Sequence, residues 1–320
     1  MLSPLLAASS GYRIFVSGSM AYDRIMDFPG KFADHIMPDK IHVLNVSFNV
    51  NGLVERMGGT AGNIAYALRL LDEQPTILAT IGKDYERYFK WLDENGISRE
   101  GLRVIEEEFT AGAYITTDAA DNQITGFNPG AMKHSCRYDV SQANPKHSIG
   151  IIGAGNLGDM MTLPKTYKAK NIPYIFDPAQ SLPIWKGQDL AEAVAGAKVL
   201  ISNDYELSLI MKMTGLSKAR LLKRVGAIVT TLAEKGSIVA TKDHEVRVQA
   251  VKLSKVPVDP TGAGDAYRGG FLKGLVAGKS LIDAARLGSV IASYAVEVYG
   301  TQSYRFTKRD FEARYKRTFA

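Results

Sequence analysis

One cysteine, Cys136, is all that the 320 residues contain, so neither an internal disulfide nor a cysteine-rich zinc site can be built. That usage fits a reducing compartment such as the cytoplasm. The five histidines, at 35, 42, 134, 147 and 244, show no metal-ligand spacing. Long apolar runs are missing too, and the longest fall well short of the ~20 residues that span a bilayer. The opening MLSPLLAASSGY has a short greasy patch with no basic stretch before it, so residues 1–12 read as a ragged tail rather than a signal peptide. No run of five Lys or Arg occurs, and a nucleic-acid stripe is therefore not expected. What is present is a surplus of 39 basic over 33 acidic residues, +6 in all, which suits a polyanionic ligand. With 46% hydrophobic and 22% charged residues, the composition is that of an ordinary folded chain. The length suits two domains, or one large α/β domain with an appendage.

Short β-branched runs alternate with helical patterns. RIFVS (13–17), IGIIG (149–153), PYIFD (173–177), KVLIS (198–202) and AIVTT (227–231) are nearly continuous apolar stretches, as strands covered on both faces must be. Between them lie helical segments. Asn63–Leu71 carries Ile64, Ala67, Leu68 and Leu71 on one face, and 281–298 carries Leu281, Ala284, Leu287, Ile291 and Ala295. The alternation predicts an α/β fold, a doubly wound parallel sheet. Two regions break it. Residues 24–57 include the β-type run IHVLNVSFNV, and 103–128 include AGAYITTDAADNQITGF, a hairpin around Asp121-Asn122. These inserts are expected to form a small β-sheet lid on a core made of 13–23, 58–102 and 129–320.

The strongest motif is VDPTGAGDAYRGGF, 258–271. The run VKLSKVPV reads as a strand, followed by a glycine turn and a helix carrying Tyr267, Phe271 and Leu275 at one face. Gly262 and Gly264 let the backbone turn so that the amides of 262–265 make an anion site at a helix N-terminus. Asp265 in the first turn is placed as a general base beside that site, the pairing that alcohol phosphorylation requires; a plain helix cap would use the same residue types. A second glycine turn, GGTAGN (58–63), brings backbone close to a ligand, and Asn63 can both donate to and accept from vicinal hydroxyls. Asp23 is expected just past the carboxyl end of the first strand, where α/β proteins bind ligands, or it is a solvated turn residue.

Two motifs compete. GAGNLG (153–158) is a literal GxGxxG after a strand, with Asp177 ending the next one, as in dinucleotide-binding folds. Against it, the match is mid-chain and Pro164 falls early in the helix that should follow. GLVAGKS (274–280) is one residue short of a phosphate-binding P-loop and ends a helix rather than following a strand.

Taken together, Gly-Gly before Asn63 and DPTGAGD resemble the two signatures of the ribokinase/adenosine-kinase (PfkB) carbohydrate and nucleoside kinase family, and the match in element order runs from about 13 to 315. The resemblance implies a ribokinase-like core with a β lid, ATP as phosphoryl donor and Mg2+. It implies Asp265 as catalytic base, with Gly262, Ala263 and Gly264 as the anion hole, and Asp23, Gly58, Gly59 and Asn63 as the grip on the acceptor's sugar hydroxyls. NDYE (203–206) resembles the family's Asn-x-x-Glu element, so Glu206 would order water around magnesium with Asn203 beside it. TTLAEKG (230–236) resembles the nucleotide turn and implicates Thr231 and Gly236, while Asp177 would lie near the phosphates. Ala233 stands where glycine is usual and Pro260 where threonine is common. The family's monovalent-cation site is made of backbone carbonyls, so K+ use stays open, as does a homodimer through the lid.

The expected reaction is transfer of the ATP γ-phosphoryl to a primary hydroxyl. Its loose transition state lets an aspartate of ordinary low pKa serve as proton acceptor, with lid closure excluding water. The lid segments, NQITGFNPGAM and DPAQSLP look most similar to the nucleoside-kinase branch. Phe48, Phe109, Tyr114 and Phe127 could stack a base or form the lid's own small core. No arginine pair in the lid announces a sugar-phosphate acceptor. A ribokinase- or fructokinase-type sugar kinase is the alternative, followed by a non-catalytic ligand-binding module or an NAD-binding protein.

Overall fold

The computed structural model describes residues 4–7, 11–43, 45–253 and 256–319. Strand β1 (Arg13–Ser17) leads to β2 (Ala21–Asp27), and β3 (Val54–Gly58) runs into α1 (Thr60–Leu70). Then come β4 (Pro75–Gly82), α2 (Glu86–Glu94), β5 (Leu102–Ile105), β6 (Ala111–Thr117) and β7 (Gln123–Asn128). The next stretch alternates β8 (Ser148–Ile152), α3 (Leu157–Ala169), β9 (Tyr174–Phe176), α4 (Gly187–Val194) and β10 (Val199–Asn203). Helices α5 (Asp204–Thr214) and α6 (Lys218–Leu222) precede β11 (Ala227–Thr231) and the hairpin of β12 (Ser237–Ala240) and β13 (Glu245–Val248). The chain closes with α7 (Ala263–Val276), α8 (Leu281–Ala295) and α9 (Lys308–Phe319).

The large sheet has the order β13-β12-β11-β10-β9-β8-β1-β4-β5. From β11 to β5 every pairing is parallel, and β12 and β13 add an antiparallel edge. Side-chain alternation sorts its residues into two cores. Ile14, Val16, Ile77, Ala79 and Ile151 join α1, α2, α7, α8 and α9 on one face. Phe15, Leu78, Ile152, Phe176 and Leu200 join α3 to α6 on the other. The doubly wound α/β expectation therefore holds, because strands buried on both faces must be apolar throughout. Chain order reverses at β1, which lies between β4 and β8, and such a switch opens a crevice at the strands' carboxyl ends.

A second sheet, β3-β2-β6-β7, stands beside that crevice. Arg24 ties it to the core: its guanidinium meets Glu55 at 2.8 Å and Asp84 at 3.4 Å, and lies over the rings of Tyr22 and Tyr114. The expected hairpin at Asp121-Asn122 is the β6–β7 connection, where Asp121 takes a left-handed φ of 59°.

Several local expectations differ. The second insert, expected over 103–128, gives its first residues to the core, because 103–105 lie in β5 paired with β4 at the edge of the large sheet. The run at 41–50 is not a strand among its described residues: a 3-10 turn covers Pro38–Val43, and β2 already has both neighbours from β3 and β6. Phe48 of that run packs on Phe28 and Phe32. The described residues of 251–258 are not a strand either, since the β12–β13 hairpin already ends the sheet there; residues 254 and 255 lie outside the described set. Helix α1 begins at Thr60, and Thr60 to Leu68 are buried all round rather than on one face, because α7 covers the side away from the sheet. The N-terminal tail is partly anchored, with Leu5 and Leu6 packed on the first core and the Tyr12 hydroxyl donating to Ala7 O.

Ala233 holds the left-handed conformation (φ 49°) that glycine adopts without strain. Ala233→Gly should therefore stabilise the fold by about 1 kcal/mol, read as a higher urea midpoint with unchanged slope.

Candidate active site

Three loops at the carboxyl ends of β1, β3 and β8 are laced together by two hydroxyls. Thr60 N–H donates to Ser19 Oγ at 3.0 Å, Thr60 Oγ1 donates to Ala154 O at 2.7 Å, and Ser19 N–H donates to Ala154 O at 2.9 Å. Gly59, with φ 90°, lies so close to the Ser19 carbonyl that any side chain would collide with it. This lacing sets the first turn of α1 and hence Asn63. Gly58 is needed for a different reason: a Cβ there would run into the Asp23 carboxylate, which lies across it from β2. Asp23 is thus a lid-strand residue rather than a loop residue past the end of β1. Its pKa is raised by burial and by the nearby Asp259 carboxylate, against the opposing field of Arg56.

Across from these loops, Gly262 (φ 76°) caps the start of α7. Ala266 N–H makes the first intrahelical bond, to Gly262 O at 2.9 Å, which leaves the amides of 262–265 ahead of it as helix starts do. One of the four is not open, since Ala263 N–H donates to Pro260 O at 3.2 Å. The loop before it is held by Asp259, which accepts from Thr261 N–H and Gly300 N–H at 2.9 and 3.0 Å. Asp265 sits on the first turn and accepts from Asn63 Nδ2 at 2.8 Å. Two signatures more than two hundred residues apart in sequence thus meet in one hydrogen bond. Asp265 does not keep an ordinary low pKa: burial pushes it up to about 6, aided by Asp177 and Asp23 and opposed by Arg268 and Asn63.

One turn along α7, Arg268 grips Asp177 through two hydrogen bonds, one from Nη2 at 2.7 Å and a short one from Nε. Both residues are buried, Asp177 completely. Asp177 is therefore near Asp265 but committed to this pair. The same guanidinium lowers the Glu206 pKa, which burial raises above the usual carboxylate range.

On the β10–β11 side, Asn203 and Glu206 form a capping box for α5: Asn203 Oδ1 accepts from Glu206 N–H at 2.7 Å, and Glu206 Oε2 accepts from Asn203 N–H at 2.8 Å. Asn-x-x-Glu after a strand is a capping-box spacing, a role the sequence reading above does not include. Thr231 ends β11, its hydroxyl 3.5 Å from Ser202 O. Gly236 (φ 88°) is required by the turn itself, because a Cβ would strike the Val248 carbonyl. Among the described residues no group of three or more His, Cys, Asp or Glu could hold a metal ion. A lone carboxylate such as Glu206 fits magnesium that keeps its water shell and leans on substrate phosphates.

The dinucleotide reading fails on geometry. Helix α3 does run through Pro164, contrary to expectation, because Met160, Leu163 and Tyr167 pack on the sheet. The glycines of 153–158, however, serve contacts within the protein: a Cβ on Gly155 would meet the Gly18 backbone at 2.7 Å. Asn156 caps α3, and Asp177 is taken by Arg268. The stretch 274–280 spans the end of α7 and the Ser280 cap of α8, so it is not a P-loop. Of the four aromatics proposed for stacking, Phe48 belongs to the lid's own core, whereas Phe109, Tyr114 and Phe127 are exposed. Arg268, Tyr88, Trp91, Gln302 and the helical Gly62 went unread in the sequence; only Gly62, a glycine in a helix's first turn, carries a local signal.

Residues 20–308 match the pfkB family carbohydrate kinase. The chain belongs to that family. The kinase is 35% identical over 264 residues to the nucleoside kinase of Methanocaldococcus jannaschii, covering 81% of this chain and 85% of the relative. Its fold superposes with a TM-score of 0.84 on the nucleoside kinase of Burkholderia thailandensis solved with inosine, at 36% identity, covering 96% and 98% of the two chains. The same enzyme solved with ADP-inosine gives 0.82 at 37% identity, covering 96% of each. These likenesses place the kinase on the nucleoside-kinase branch, as an ATP-dependent phosphotransferase with a ribokinase-like fold. No described helix is long and apolar enough to cross a membrane.

Removing one member of a buried ion pair strands the other. Arg268→Leu should cost about 3–5 kcal/mol of stability, measured by urea unfolding. Adding Asp177→Leu should recover only part of that loss, since Asp265 and Glu206 still lose the field of the cation.

Proposed function

We propose that the kinase transfers the γ-phosphoryl group of ATP to the primary 5'-hydroxyl of a ribonucleoside. The observation that carries this reading is Asp265, seated on the first turn of α7 and bonded to Asn63. The inosine and ADP-inosine complexes of the Burkholderia relative support the nucleoside as acceptor. Asp265 accepts the hydroxyl proton as the phosphoryl moves. Amides at Gly262, Ala263 and Gly264 stabilise charge on the γ-phosphoryl, and the Ala263 amide must give up Pro260 O to take part. Asp23, Gly58, Gly59 and Asn63 hold the sugar, and Asn203, Glu206, Thr231 and Gly236 line the nucleotide side. Magnesium, held by Glu206 through water, would neutralise phosphate charge. A cytoplasmic location and a homodimer through the lid belong to the same reading.

An aspartate that titrates near 6 is a stronger base than a normal one yet still ionised at neutral pH. Asp265→Asn should cut kcat at least ~100-fold; near-normal turnover would remove Asp265 from this role. For the unmodified protein, kcat/KM should fall about tenfold per unit as pH drops below about 6, since protonation disables the base. Coupled ADP release with MgATP, run against adenosine, inosine, cytidine, ribose and fructose, checks the acceptor. Turnover on the free sugars alone would overturn the nucleoside reading. Replacing potassium by sodium in that assay reads monovalent-cation dependence.

A further inference from the structure

Asn63 does not stand alone beneath Asp265. Its Oδ1 accepts from Gln302 Nε2 at 2.9 Å, and Gln302 is almost fully buried. Gln302 Oε1 in turn accepts from the Trp91 indole at 2.7 Å, while its Nε2 also donates to the Tyr88 hydroxyl at 2.7 Å. Tyr88 donates its own O–H to Gly58 O at 2.9 Å.

Every direction in this chain is dictated by chemistry. An indole N–H can only donate and a backbone carbonyl can only accept. Trp91 therefore forces Gln302 to turn its carbonyl towards it. Tyr88 imposes the same orientation independently: its proton is committed to Gly58 O, so its oxygen must accept from Gln302 Nε2. Burial pushes the Tyr88 phenol far above its usual range, so it stays protonated. With Gln302 fixed twice over, Asn63 must present Oδ1 to it and Nδ2 to Asp265.

The helix has made room for this arrangement. A Cβ on Gly62 would overlap the Tyr88 hydroxyl and come within 2.9 Å of Gln302 Nε2. That explains a glycine in the first turn of a buried helix, where it otherwise weakens the helix.

We propose that Trp91, Tyr88 and Gln302 are positioning residues that lock the Asn63 amide donor-first against Asp265. So locked, Asn63 can support the carboxylate but cannot turn over to accept from the carboxylic acid. The other groups facing Asp265 are Arg268 from α7 itself, Asp177 beyond β9, Asp23 from β2 and Tyr304 ahead of α9. None of these four is substituted in the variants below, and Gln302→Met leaves Tyr88, which faces Asp23, in place. The consequence for phosphoryl transfer rests on the reading of Asp265 as the base, but the lock itself can be tested without turnover.

The direct readout is the 13C-carboxyl titration of Asp265 in aspartate-labelled protein, its resonance assigned by its loss in Asp265→Asn. Gln302→Met frees Asn63 to turn over and bond the protonated acid, so the midpoint should rise by about half a unit to one unit, one neutral hydrogen bond's worth. Trp91→Phe combined with Tyr88→Phe releases Gln302 without emptying its place and should give a similar rise, which covers the case in which Gln302→Met does not fold. In an Asn63→Leu background, Gln302→Met should add nothing. An Asp265 midpoint that stays put in the folded variants overturns the lock. The acidic limb of kcat/KM should move with the midpoint. If instead Asp265→Asn keeps its turnover while the titration shifts as expected, the lock stands and the base assignment fails.

Discussion

A single buried guanidinium makes the rest of the site tenable. Arg268 interacts with Asp177, Asp265 and Glu206, carboxylates contributed by the end of β9, the start of α7 and the start of α5. Burying several carboxylates together is costly unless a cation is buried among them. Arg268 meets Asp177 with its fork and leaves its field to act on the other two, lowering both against the effect of burial. A lysine could supply the charge but not the two-point geometry. Because Arg268 lies on α7 one turn after Asp265, the helix that presents this buried carboxylate also carries its counter-charge.

The loops around that centre are rigid for ordinary structural reasons. Ser19 and Thr60 knit the ends of β1 and β8 to the head of α1, the parallel sheet puts those ends side by side at the chain reversal, and Arg24 anchors the lid to the core. Three glycines each answer a specific neighbour in the protein: Gly59 the Ser19 carbonyl, Gly58 the Asp23 carboxylate, Gly236 the Val248 carbonyl. A glycine-rich motif thus need not mean that a ligand comes close. At Gly236 the protein's own chain fills the space.

Much of the core was legible because strands buried on both faces leave continuous apolar runs: RIFVS and AIVTT are β1 and β11, and KVLIS enters β10 at Val199. The run at 41–50 has the same composition, yet β-propensity needs a neighbouring strand with an open ladder. Asp265 and Asn63 were legible because glycine turns mark them locally. Gln302, Trp91 and Arg268 were not, since the hydrogen-bond partners that give these ordinary polar and aromatic residues their meaning lie more than ninety positions away. The capping box at Asn203 and Glu206 is the converse: a local signal masked by a functional reading of the same residues.

The two halves of the site also constrain one another. Asn63 was expected to offer both a donor and an acceptor to sugar hydroxyls, but here its donor faces Asp265 and its acceptor faces Gln302. An amide oxygen has a second lone pair and an amide nitrogen a second proton, so a sugar can be added to this network without dismantling it. On the proposed reading, an acceptor hydroxyl near Asp265 would then arrive against an Asn63 already pointed by the buried chain behind it. Orientation prepared before the substrate binds is orientation that binding need not supply, and in phosphoryl transfer positioning accounts for much of what a protein contributes.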